Sequence, residues 1–421
     1  MPTRQPYITE KPIRRGESCI RPKQLKSYRF FKDQRHATGR FLPDFRKAGN
    51  MKVLCVQKRA GKAGAQVCLE KIVRTLRKLS IDVKVLMGER GWLTDRLTEM
   101  DALAGIAPFP SFRSPLSKWV KIGRLADYVK EVWQHQGPFQ LIHANDIWEA
   151  LLAEWLAKRW QVPWLMHLRT LPTQPLYLKY HGDRAQAVIA VSPLIHETVR
   201  QWPHKRLAYI PEGLDEEDWL PVKNEECPFP QQIGVIGHDG ELKGWRDLAA
   251  AMQRVQKSGG QLPIRITFFG KAEISSQLVL RHMLPVELDV VFQGHVENNL
   301  NSLLRQQDLI VLPSRQESFG MAVIETIAAG IPLLASRTGI VPEIMGESSP
   351  WTFIPGDSDS LVRTWIHLSA VWPQRLAYLE TWRKKVSNKF MISNNTMTLI
   401  KLYETSASQE DITSWQKQSL F

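Results

Sequence analysis

The sequence predicts an α/β protein built from two doubly wound units in tandem, each a parallel sheet with helices on both faces. From residue 51 onward, short apolar runs alternate with amphipathic stretches. A second series of the same kind follows the Pro-containing stretch ECPFPQQ at 226–232. Strand–helix alternation over this length favours parallel pairing, because each crossover must carry a helix back over the sheet.

The first series opens with MKVLCV (51–56) as a strand, RAGKAG (59–64) as a Gly-containing loop and AQVCLEKIVRTLRKL (65–79) as a helix. VKVLM (83–87), FQLIHAND (139–146), VPWLMHLR (162–169), AVIAVS (187–192) and LAYIPEG (207–213) read as further strands, with IWEALLAEWLAKRW (147–160) a helix among them. QQIGVIG (231–237), PIRITFFG (263–270), DVVFQGHV (289–296), DLIVLPS (308–314) and PLLAS (332–336) form the second series. The expected division is a basic arm at 1–50, a first unit at 51–220, a second at 221–390 and a C-terminal helical segment at 391–421. Ligands of such sheets sit at the carboxyl ends of the strands, so the cleft between the units is the expected site.

The chain has 421 residues and a net charge of +14. Residues 1–50 hold thirteen Lys/Arg against four Asp/Glu, leaving only +5 for the rest. An arm of this composition reads as disordered and suits a phosphate-rich or anionic lipid surface; a start at Met51 is the alternative. No apolar run reaches the ~18 residues of a membrane span, and no apolar stretch follows the first charges as in a secretory signal. Cys19, Cys55, Cys68 and Cys227 have neither metal-site nor disulfide-framework spacing, which points to a reducing cytoplasm.

The stretch PSRQESFGMAVIETIAAGIP (313–332) reads as a strand end, a loop, a helix over 319–329 and a stop. Ser318 is suited to cap that helix, Gly330 to end it, and Pro332 follows. The amides of Phe319, Gly320 and Met321 would then face out of its N-terminus as an anion site. Glu325 lies one turn inside an otherwise apolar helix, and Glu317 just before it. A buried carboxylate without partners is costly, and a ligand with a diphosphate at the helix end and hydroxyl groups on either side, the layout of a nucleotide-sugar, would satisfy these groups.

Glu317 and Glu325 form a Glu-x7-Glu pair. With the segments around it, that pair resembles the retaining GT-B glycosyltransferases of the family 4 type, also called group 1. IGVIGHDGELKGWRDLAAAM (233–252), FQGHV (292–296), VLPSRQESFG (311–320) and GIPLLASRTGIVPEI (330–344) follow in that family's order, and the likeness spans 51–405. The resemblance implies two Rossmann-like domains facing across a cleft, with a C-terminal helix returning to the N-terminal domain. It implies transfer from a nucleoside diphosphate sugar, with no other cofactor, and Lys243 and the helix N-terminus would supply the positive charge that makes a metal unnecessary. The basic arm, on a chain with no span of its own, points to a glycan or lipid-linked acceptor at the cytoplasmic membrane face, and no helix-turn-helix, RNP or zinc pattern points to nucleic acid.

Residue by residue, it implies that Glu325 binds the ribose and Glu317 the transferred sugar. Lys243 would contact the diphosphate, aided by the Phe319–Gly320–Met321 amides, and His167 would lie beside the sugar. Gly64 would approach from the other domain, and backbone near Val296 would meet the base. His238 stands where the family has Arg, Glu212-Gly213 where it has Asn-Gly, and Gly64-Ala65 where it has Gly-Gly. Asp357 and Asp359 read as a helix cap rather than a metal motif, and His143 and Asp146 as either cleft or cap residues. A sugar-nucleotide epimerase, a catalytically impaired relative and a basic nucleic-acid-binding protein are the competing readings.

Overall fold

The computed structural model describes residues 51–107, 109, 118–223, 226–296 and 300–408. The predicted arm at 1–50 and the last part of the C-terminal segment, 409–421, lie outside the described residues.

Seven parallel strands form the first sheet: β1 (Lys52–Gln57), β2 (Asp82–Met87), β3 (Leu103–Ile106), β4 (Leu141–Ala144), β5 (Trp164–Leu168), β6 (Ala187–Ala190) and β7 (Leu207–Tyr209), in the order β3-β2-β1-β4-β5-β6-β7. Six parallel strands form the second: β8 (Gln232–Ile236), β9 (Arg265–Phe269), β10 (Asp289–Gly294), β11 (Leu309–Leu312), β12 (Leu333–Ser336) and β13 (Thr352–Phe353), in the order β10-β9-β8-β11-β12-β13. Strands β4, β5, β6, β11 and β12 are buried throughout. They therefore read as continuous apolar runs, because helices cover both faces. β3 and β13 escape the sequence reading for a physical reason. β3 (LAGI) is a half-buried edge strand containing Gly105, and β13 has only two residues.

Strand order reverses between β1 and β4 in the first sheet and between β8 and β11 in the second. Each reversal splays the adjoining loops apart and opens a crevice at the carboxyl ends. Helices α1 (Gly64–Lys78), following β1, and α2 (Trp245–Lys257), following β8, start beside these crevices. Helix α3 (Met321–Ala328) follows β11.

Beyond the second sheet, α4 (Arg375–Lys389) packs against α3. Its Arg383 Nη1 donates to the carbonyls of Ile327 (2.9 Å) and Ala328 (2.8 Å). A guanidinium is thereby placed on the negative end of α3. The chain then crosses back. Leu214 N donates to Phe390 O (2.8 Å) and Ile392 N to Leu214 O (3.0 Å). The approach is close enough that a Cβ on Gly213 would lie 2.5 Å from Ile392 N. Helix α5 (Ile392–Ser406) lies on α1 and buries Leu399, Ile400 and Tyr403 with Val53, Leu69, Ile72 and Leu76 of the first domain. The expected return of a C-terminal helix to the first domain is what the structure has.

Tyr403 carries a polar tip into that apolar layer, where its hydroxyl reaches His143 Nδ1 at 2.6 Å. Tyr403→Phe keeps the ring and strands a buried imidazole nitrogen. We expect it to destabilise folding by about 1–3 kcal/mol in urea titrations, the cost of an unsatisfied buried polar group. Unchanged stability would show that the bond is not needed to dock α5.

Candidate active site

A cavity of about 330 Å³ lies between the two sheets' carboxyl ends. Gly64, Ala65, Cys68, Asp146, Arg169, Thr170 and Glu212 line it from the first domain. Lys243, Ser314, Glu317, Ser318, Phe319, Gly320, Met321 and Thr338 line it from the second.

Local backbone geometry places each second-domain group. Gly244 has φ +66°, and a Cβ there would sit 1.9 Å from Pro313 O. Only glycine lets the turn holding Lys243 press this closely against the end of β11. Gly237 leaves room beside the lysine stem, since a Cβ would come within 3.2 Å of Lys243 Cγ. Lys243 Nζ then donates to Glu317 Oε1 at 2.5 Å, and Ser314 Oγ donates to the same oxygen at 2.7 Å. Glu317 N donates to Thr338 Oγ1 (3.0 Å).

The helix after Glu317 begins later than the sequence suggests. Ser318 does not cap it. Gly320, with φ +103°, is the N-cap, and the helix runs Met321–Ala328. A left-handed backbone at Gly320 shifts the first helical turn past Ser318, whose Oγ instead accepts from Leu171 N of the first domain at 3.1 Å. The amides at the start of α3 have no acceptor inside the helix, and Gly320 and Met321 line the cavity. Gly64 and Ala65, at the start of α1, line the opposite wall. Two helix N-termini thus bring positive ends to one cavity.

Glu325 follows Met321 by one turn on the same face but is not part of the cavity wall; it faces α1. Burial pushes its carboxyl above the usual range. The Lys71 ammonium opposes that shift and Asp218 adds to it. Lys71 is itself held by Asp218 at 2.6 Å. Among the described residues, no side chain is hydrogen-bonded to Glu325.

His167 also departs from expectation, because it stands behind the cavity wall rather than in it. Its Nδ1 lies 3.2 Å from His143 Nε2, and His143 Nδ1 meets Tyr403 Oη. Burial holds both imidazoles well below their usual pKa, His143 at about 3, so both are neutral. If Tyr403 donates to His143 Nδ1, the His143 Nε2 proton is donated to His167 Nδ1. The His167 Nε2–H is then left buried with no partner among the described residues. The residue that does reach the cavity from this strand end is Arg169, which pairs with Glu212 and donates from Nε to Asn145 O (3.0 Å).

His238 is exposed, its ring packed over Gly240, and Val296 is half-buried against the second-domain core; neither lines the cavity. Asp146 both caps and lines the site. Its Oδ1 accepts from Ile147 N (2.8 Å) and Arg169 N (3.0 Å), and its Oδ2 accepts from Thr170 Oγ1 (2.7 Å). Asp357 caps the helix Ser358–Val371 by accepting from Ser360 N (3.0 Å), while Asp359 pairs with Arg254. Arg169, Thr170, Ser314 and Thr338 were not singled out from the sequence, and Ser318 only as a helix cap. Only Arg169 carried a signal, a charge closing an apolar strand.

Residues 230–370 match the family model of glycosyl transferases group 1, and residues 63–213 match that of the glycosyl transferase 4-like domain. Together the two matches cover most of the described residues. Among curated relatives, D-inositol 3-phosphate glycosyltransferase of Corynebacterium urealyticum is 24% identical over 391 residues, covering 81% of this chain and 90% of that protein. N-acetyl-alpha-D-glucosaminyl L-malate synthase of Bacillus anthracis is 25% identical, with 40% of this chain and 46% of that protein covered. This chain thus spans less than half of that relative's length. Anabaena HepE, solved in complex with UDP, superposes with a TM-score of 0.69 at 18% identity over 84% of this chain and all of that one. The fold is GT-B.

Next to the cavity, Glu149 Oε1 accepts from Lys58 N at 3.1 Å. Burial and then the Asp146 charge push its carboxyl up to about 8 from an ordinary 4.5. Between these values the folded chain holds a proton that the unfolded chain has lost, so stability falls as pH rises through the window. We expect Glu149→Gln to remove that slope and gain on the wild type between about pH 5 and 8 in urea titrations. Parallel curves would place the Glu149 pKa near its ordinary value.

Proposed function

We propose that this chain is a retaining glycosyltransferase that moves a sugar from a nucleoside diphosphate sugar to a glycan or lipid-linked acceptor without a bound metal. The observation that carries this reading is the Lys243–Glu317 pair at the N-terminus of α3, facing the first domain across the cavity. The named activities of the relatives and the UDP held by the Anabaena protein support it.

In this reading the diphosphate takes the place in front of Lys243 and the first amides of α3. These are fixed positive groups aimed where charge develops as the bond to the leaving group breaks. Glu317, released from Lys243, accepts from hydroxyls of the transferred sugar. Glu325 lacks donors until the ribose hydroxyls arrive, and accepting them favours its charged form over the neutral one. His167 Nε2–H, buried behind the cavity wall without a partner among the described residues, is the donor this reading reserves for the sugar.

Retention is the outcome this reading expects, because none of the described carboxylates of the cavity is left to act as a base. Direct inversion needs a group that takes the acceptor's proton on the face opposite the leaving group. Among the described carboxylates of the cavity, Asp146 is occupied by backbone and hydroxyl donors, Glu212 by Arg169, and Glu317, in this reading, by Ser314 and the hydroxyls of the transferred sugar. A diphosphate oxygen, stabilised by Lys243, takes that proton on the departing face instead.

Glu325→Ala should weaken nucleotide-sugar binding about 100-fold or more, since charged hydrogen bonds contribute ~1.5–3 kcal/mol each. Lys243→Ala should lower turnover by roughly 10²–10³, the range for one preorganised charge-stabilising donor. Calorimetry and steady-state assays on folded variants separate the two. Unaltered donor affinity in Glu325→Ala removes the ribose assignment. Strong reversible inhibition by EDTA would put a metal in the reaction.

Stereochemistry is tested by NMR of the product's anomeric proton from a donor of known α configuration. An α product is expected; a β product would require a base that this reading denies.

A further inference from the structure

The first-domain loops that border the cavity wall, a rim outside the lining itself, carry two features. One is an exposed aromatic face. Trp148 is 45% exposed. It sits on the 3-10 turn Ile147–Glu149, capped by Asp146, which itself lines the cavity. Tyr180 packs edge-on against the indole, with ring centroids 5.6 Å apart and planes at 83°. That contact fixes the indole's orientation while leaving much of it open.

The other feature is positive charge. Glu149, the residue after Trp148, is buried and fixes Lys58 N, so the loop after β1 adjoins the turn that carries the tryptophan. The loop after β2 interlocks with it. A Cβ on Gly88 would lie 2.7 Å from Lys58 O, Leu93 N donates to Ala60 O, and Ala60 N donates to Glu89 Oε1. Lys58 and Arg90 on these loops are exposed and, among the described residues, have no ion-pair partner; Arg59 shares the Glu89 carboxylate at 3.7 Å. The stabilising contacts in these loops are made by backbone and by Glu89 and Glu149, so the two free cations are not required for them.

An open, oriented indole meets the C–H face of a sugar ring well, because those hydrogens carry small positive charges toward the ring's negative face. Unpaired cations on interlocked loops next to it suit a negative group on the same molecule. We propose that this rim is the acceptor subsite and that it takes a saccharide bearing an anionic group, its ring against Trp148 and its charge at Lys58 and Arg90. The proposal rests on the glycosyltransferase reading and commits the acceptor to a charged sugar.

The test compares glucose, glucose 6-phosphate and glucuronate by ligand-observed NMR on the full chain with UDP present, at low and high salt. The two anionic sugars should bind at least tenfold more tightly than glucose at low salt and lose that margin at high salt. A preference for glucose 6-phosphate over glucuronate would assign the group as phosphate, and the reverse as carboxylate. Lys58→Ala/Arg90→Ala should erase the margin. Trp148→Ala should weaken all three sugars and Trp148→Phe restore them, while UDP affinity stays unchanged in every variant.

Equal binding of glucose and its anionic forms, no sugar binding at all, or variants that leave anionic-sugar affinity intact would each overturn the proposal. So would Trp148-dependent capture of anionic vesicles with no sugar bound, which would assign the rim to a lipid surface. Loss of UDP binding in Glu325→Ala is read separately, so failure of the donor assignment stays distinguishable from failure of this one.

Discussion

A carboxylate half-removed from water must be met by donors, and Glu317 meets that demand with Lys243 and Ser314 on one oxygen. Lys243, Ser314 Oγ and the backbone bond to Thr338 converge on one residue from three strand ends. That convergence sets the geometry around it. It requires the Lys243 turn to press on the end of β11, which Gly244 permits with its left-handed backbone. It also requires the segment around Gly339 to pass over Phe319, where a Cβ would approach Phe319 O to 2.2 Å. The parallel sheet aims all these loops the same way, so one pairing organises a whole cavity wall.

The first-domain wall depends on the chain's return across the cleft. Asn395 of α5 donates to Pro211 O (3.0 Å) and Glu212 O (3.2 Å), which fixes the start of the interdomain linker. Eight residues on, Tyr403 meets His143, His143 meets His167, and Arg169 closes the chain of contacts at the cavity. A helix distant in sequence therefore positions the groups at the ends of β4 and β5. Lys71 and Arg74 of α1 add ion pairs to Asp218 and Asp215 of the linker, on the side of α1 that Glu325 faces.

Much of this was legible in the residues. Buried parallel strands announce themselves as apolar runs, and eleven of the thirteen strands were read that way. The carboxylates and Lys243 stood out because charge inside apolar pattern is costly without a partner. What stayed hidden depends on backbone torsion and on pairing across the fold. Ser318 has the chemistry of a cap, but the left-handed turn at Gly320 moves the helix start beyond it. His167 and Arg169 end the same strand, and alternation alone does not say which of them reaches the cavity. Nor does sequence spacing disclose that Leu171 N bonds Ser318 Oγ from the opposite domain.

Glu212 illustrates how a local departure from a family pattern becomes intelligible only in three dimensions. An acidic residue in place of an amide at the linker would place an uncompensated charge in a site meant for a diphosphate. Here the Glu212 side chain is almost wholly buried and paired with Arg169, equally buried. Removing either partner alone leaves a stranded charge, which costs about 3–5 kcal/mol in comparable cases. The pair therefore acts as one unit, neutral overall, and the carboxylate adds no net repulsion toward a phosphate. Because Arg169 also lies against His167 and Asn145, the unit braces the ends of β4 and β5 at the cavity. The positive potential left for an anion then comes from Lys243 and the two helix N-termini.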